Sequence, residues 1–163
     1  MNPEQDAQSL LGAAWHQDGQ ILLPVDPFKI AQKLGIKAFS AGLDEGVSGL
    51  LIKRPGQDAE IYVHASDSSN RQRFTCAHEL GHYVKRSAAG DDAWEYVEQR
   101  NLISSAGTNE EEVYANRFAA ALLMPRSEVI KRFTGAASVA TLAPEFGVSA
   151  DAMHFRLVNL DLI

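Results

Sequence analysis

The sequence predicts an α+β fold in which a small, antiparallel or mixed sheet packs on helices, and three observations carry that expectation. Apolar residues recur at helical spacing over 26–34, again over 70–85, and through much of the chain beyond 109. Over 36–65 they instead form short runs broken by Gly, Asp and Pro, which is the pattern of strands. The order is therefore helix, then sheet, then helices, as in an α+β domain. The 163 residues suit one compact unit, and 45% apolar content is enough for a sizeable core.

Each element has its own local reason. Over 26–34, Phe28, Ile30, Ala31 and Leu34 share a helical face; Asp26 and Pro27 suit the N-terminus and Gly35 the C-terminal stop. Three strands are expected in IKAF, SGLLI and EIYVHA, the last two joined by a hairpin through KRPGQDAE, where Pro55 and Gly56 suit a turn. From Asn70 to about Lys85 the period returns to helical, with Phe74, Ala77, His78, Gly81, His82 and Lys85 on one side. A second long helix is expected over 109–124, ended by Pro125. A third begins at Ser127, and two short helices flank the break at Gly147.

Charge and cysteine content narrow the function classes. With 15 Lys and Arg against 21 Asp and Glu, the formal charge is −6, which argues against nucleic-acid binding driven by net charge. One cysteine, Cys76, cannot make an internal disulfide. The N-terminal MNPEQDAQSLLGAAW has neither a basic region nor a long apolar core, and no apolar run approaches the ~18 residues of a membrane span, so a soluble cytoplasmic protein with no membrane partner is expected.

The sharpest feature is His78-Glu79-Leu80-Gly81-His82. On a helix, residues four apart lie on one face a turn from each other, so both imidazoles can address one metal ion. Glu79 sits about 100° around the helix, placed to reach a water on that metal without binding it. With five His in the chain, chance supplies about 0.01 such motifs. The competing explanation is two packed or surface histidines. A catalytic zinc site needs a third protein ligand, and seven carboxylates lie in reach: Asp91, Asp92, Glu95, Glu98, Glu110, Glu111 and Glu112. Glu112 shares a helical stripe with Ala115, Asn116, Ala119 and Leu123, a small apolar face suited to close packing. A carboxylate in line with that stripe points inward, where a metal would compensate its charge. Glu110 and Glu111 fall off the stripe and suit a helix start; the alternative is that all three glutamates form a solvated helix start.

RQRFTCAHELGHYV followed by EVYANRFAAALLMP resembles the ImmA/IrrE-type metallopeptidases, small gluzincin-like proteins, and the resemblance extends to most of the chain. It implies a zincin-like metallopeptidase domain over 1–125, with a helix-turn-helix-like segment over 126–163 packed on the same unit. It also implies one Zn²⁺ per chain held by His78, His82 and Glu112, with Glu79 as general base. Many relatives carry a second Glu where this chain has Tyr114, which leaves Glu112 as the only matching carboxylate. At Cys76, where an aliphatic residue is common, helical phase turns the thiol away from the ligand face, as expected of an inert packing residue.

The activity implied is zinc-dependent proteolysis, and the substrate implied is a helix-turn-helix repressor of the Xre type encoded nearby, whose cleavage releases transcription. Tyr83, Tyr114, His64 and His154 are candidates for the oxyanion stabiliser that such a reaction needs. The strand EIYVHAS is the expected edge for an extended substrate to pair with. The last helix offers Arg156, His154 and Asn159 beside Asp151 and Asp161, too little positive charge for a DNA reader, so direct DNA binding is not expected. Arg71, Arg73, Lys85 and Arg86 flank the metal helix and are expected to meet an acidic partner or solvent. Two rival functions are a DNA-binding regulator with a structural or sensory metal, and a toxin-antitoxin partner that sequesters a repressor without cutting it.

Overall fold

The computed structural model describes residues 1–90, 92–99, 110–134 and 137–163, and its described residues form an α+β unit with seven helices. Helix α1 (Pro3–Ala14) is followed by a two-stranded hairpin, β1 (His16–Gln17) and β2 (Gln20–Ile21), and by α2 (Pro27–Lys33). Strands β3 (Lys37–Ala41), β4 (Val47–Lys53) and β5 (Glu60–His64) precede the long α3 (Ser69–Ala89). Strand β6 (Trp94–Gln99), α4 (Glu110–Leu123), α5 (Arg126–Arg132), α6 (Val139–Phe146) and α7 (Ala150–Asn159) complete the order. None of the described helices is long and apolar enough to cross a membrane.

The main sheet runs β3-β5-β4-β6 and is mixed: β3 and β5 are parallel, and β4 is antiparallel to both its neighbours. The expected β4–β5 hairpin is present, with Gly56 at φ +69° in its turn. Two expectations change. The sheet has four strands, because WEYVEQ adds a strand whose mix of aromatic, β-branched and acidic residues does not stand out from a loop. Because β5 pairs on both sides, EIYVHAS has no free edge for a substrate, and the sheet's outer strands are β3 and β6.

Helix α1 was not anticipated, although its signals are ordinary: Asn2 accepts from the backbone N–H of Glu4 and Gln5, and Pro3 opens the first turn. It matters for packing, since it lies against both α3 and α4. Tyr114 on α4 donates its hydroxyl to Asp6 Oδ2 at 2.7 Å, and burial with that acidic partner raises the phenol pKa. Helix α3 in turn lies between the sheet and α4, contacting β4 and β5 as well as α4.

Two arginines tie the C-terminal helices to this core. Arg73 on α3 donates to the carbonyls of Gly147 (3.0 Å) and Val25 (2.6 Å). Arg156 on α7 is 5% exposed, donates to Met124 O and makes a bidentate pair with Glu4 at 2.9 and 2.7 Å. The expectation for Arg73 is thereby corrected: it serves backbone carbonyls, because α6 ends over it and its carbonyls need donors. Arg86 and Arg71 do meet acids, Glu111 at 2.7 Å and Asp67 at 3.3 Å, but within the chain itself.

Candidate metal centre

Helix α3 presents different faces to its two neighbours, and the site lies where they adjoin. At about 100° per residue, Gly81, His78 and His82 turn toward α4, while Thr75 and Glu79 turn toward β4. Glycines permit both approaches. A Cβ on Gly81 would stand 3.0 Å from Ala115 Cα and 3.2 Å from Phe118 Cδ1, so the close α3–α4 crossing depends on its absence. A Cβ on Gly49 of β4 would stand 2.5 Å from Thr75 Cγ2 and 3.1 Å from Glu79 Oε1. The bare strand thus gives the Glu79 carboxylate its place.

Among the described residues, His78, His82 and Glu112 form a group able to hold a metal ion, their ligand atoms all within 4.8 Å of one another. The two Nε2 atoms are 3.1 Å apart, Glu112 Oε1 is 3.1 Å from His82 Nε2, and Oε2 is 3.3 Å from His78 Nε2. In a tetrahedral zinc site with bonds of 2.0–2.2 Å, ligand atoms stand about 3.3–3.5 Å apart. The observed edges fall about 0.2 Å or less below that range, so the donors fit one small divalent ion in both chemistry and spacing.

The remaining polar contacts prepare these donors. His78 Nδ1 lies 2.9 Å from Asn116 Oδ1, and because a carbonyl oxygen only accepts, Nδ1 carries the proton and Nε2 is left with its lone pair toward the metal position. The imidazoles of His78 and then His82 beside it hold the Glu112 carboxyl well below the usual carboxylate range, so it stays anionic. Both histidines are 1% exposed and Glu79 is fully buried. Glu79 stands outside the ligand group, as a general base must.

The other sequence candidates are not in the ligand group, and each has contacts of its own. Tyr83 meets Trp94 edge-on at 5.8 Å, and the Tyr114 hydroxyl is held by Asp6. His64 accepts from the Ser66 backbone N–H, and exposed His154 lies against Phe155. Of the other six carboxylates, Asp92, Glu95 and Glu110 are exposed, Glu111 pairs with Arg86, and Asp91 with the Glu98 side chain lies outside the described residues. Cys76 is fully buried, and burial pushes its thiol pKa well up, which suppresses thiolate chemistry. The role of Asn116 as partner of His78 is not among the sequence expectations; its signal is its place one turn after Glu112, where a polar group on a packing face needs a partner.

Substituting Gly81 with Val is expected to cost about 1–3 kcal/mol by overpacking and to weaken metal binding, because α4 must retreat with Glu112 and Asn116. A thermal melt and a zinc competition titration check this, and wild-type values in both would contradict it.

Two histidines one turn apart on a helix laid over a mixed sheet, closed by a glutamate from the next helix, belong to the zincin-like class of α+β domain. The chain is a member of the peptidase M78 family, whose IrrE N-terminal-like domain pattern matches residues 31–158. It is also similar to the "Uncharacterized immunity region protein 2" of Bacillus phage phi105, at 25% identity over 131 residues, covering 80% of this chain and 78% of the phage protein.

Proposed function

We propose that the chain is a zinc-dependent endopeptidase that cuts a specific protein, a helix-turn-helix repressor of the Xre type. The observation that carries this is the tetrahedral spacing of His78, His82 and Glu112 beside a buried carboxylate, Glu79, that is not itself a ligand. Zinc held there would supply Lewis acidity, polarising a peptide carbonyl and easing deprotonation of the attacking water. Glu79 takes the water's proton and delivers it to the leaving amine nitrogen as the C–N bond breaks. The missing side chain at Gly49 leaves room for its carboxylate beside β4, outside the ligand group. Asn116 keeps His78 in one tautomer and orientation, so the donor set needs no rearrangement to bind.

The regulatory substrate is supported by family membership and by likeness to a protein named for a phage immunity region. Incubating the zinc-loaded chain with the purified helix-turn-helix protein encoded beside it is expected to yield two fragments whose masses sum to the intact substrate plus one water, with EDTA preventing their appearance. A stable complex with the repressor intact would instead establish the sequestering function.

A further inference from the structure

A groove of about 570 Å³ is lined by Asn116, the partner of His78, by the start of α3, by α4 and by α7 along its length. Its size is that of a site for a few side chains. Phe74, Ala120 and Met124 give it an apolar floor, and Phe155 stands at its rim, 65% exposed. Its charge runs against the rest of the molecule. In a chain of net charge −6, three arginines line it, Arg71, Arg117 and Arg156, and none of its lining residues is an acid. Arg71 and Arg156 are anchored by Asp67 and Glu4, which lie outside the groove, whereas exposed Arg117 has no ion pair among the described residues.

We infer that this groove is the specificity site for the substrate: it takes an extended segment in which an apolar side chain is flanked by carboxylates, the apolar group on the Phe74–Phe155 surface and an acid at Arg117. This rests on the peptidase reading for its biological role but not for its binding energy. Asn116 links the two places: it lines the groove and also holds His78 Nδ1, on the side of the imidazole away from the metal position, so the groove adjoins the metal centre without being lined by its ligands. Helix α7 then forms a wall of the cleft, which gives the C-terminal segment a part in substrate choice. A desolvated aromatic surface with a charge at its edge also discriminates better than either alone, since a lysine in place of the acid meets Arg117 as a like charge.

The test uses the full chain, zinc-loaded and carrying Glu79→Gln, with two fluorescein-labelled decapeptides in a Gly/Ser/Ala background: one with Leu between two Asp, one with Leu between two Lys. Fluorescence anisotropy is expected to show the acidic peptide binding at least tenfold tighter. Adding Arg117→Glu should remove or invert that preference, and adding Phe155→Ser should weaken the acidic peptide several-fold. Equal binding of the two peptides, or a preference unmoved by Arg117→Glu, would overturn the inference. So would a labelled 20-base-pair DNA duplex that displaces the acidic peptide with the same dependence on Arg117, because the groove would then be a phosphate surface. Selectivity that holds while the wild-type chain cuts no protein would support the groove and overturn the peptidase reading alone.

Discussion

Glu79→Gln is expected to lower cleavage by at least 10²–10⁴-fold, the range that a positioned general base contributes, while zinc content and melting temperature stay near wild type. The amide has nearly the shape of the carboxylate, so it fits the same space against Gly49 and Thr75. It cannot accept a proton from water. Because Glu79 lies outside the ligand group, its charge is not needed to hold the metal. A steady-state assay with the fragmented substrate, run beside a metal determination, separates the two roles. Full activity in this variant would remove Glu79 from the chemistry, and loss of zinc would make it a ligand.

The second large effect is on binding itself. His82→Ala takes away one of three donors and leaves Glu112 with one imidazole where it had two. Zinc that binds only the folded state at 100 times its dissociation constant stabilises by about 2.7 kcal/mol. For a chain of this size that corresponds to a rise of about 5–11 °C in melting temperature. Wild-type protein stripped with EDTA is expected to show this rise when zinc is restored, and His82→Ala is expected to show none. Activity should vanish with it. An identical zinc-dependent shift in the variant would mean that the stabilising ion sits elsewhere.

The parts of the site that were legible from sequence are those fixed by one helix and its period. His78, Glu79 and His82 are four residues or fewer apart, and helical phase alone places them. Glu112 was reachable because its stripe, Ala115, Asn116, Ala119 and Leu123, marks a face that packs closely; Ala115 is indeed what Gly81 meets. What escaped depends on partners distant in sequence. Tyr114 finds Asp6 across 108 positions, Arg73 finds Gly147 across 74, and Arg156 finds Met124 across 32. No local pattern announces an arginine that will serve a carbonyl. The missed strand β6 has a different cause: its register against β4, with Trp94 opposite Lys53 and Glu95 opposite Ile52, is set by the sheet and not by any alternation of its own. The free edge of β5 is lost for a separate reason, the parallel pairing of β3 along its other side, which no hairpin signal announces.

Zinc stoichiometry in matched proteins tests the central claim most directly. After EDTA stripping, reconstitution and desalting, elemental analysis of the wild-type chain should give one zinc per chain, and Glu112→Ala should give far less under the same conditions. A wild-type chain that retains no zinc, or a Glu112→Ala chain that retains one, would contradict a metal centre built from His78, His82 and Glu112.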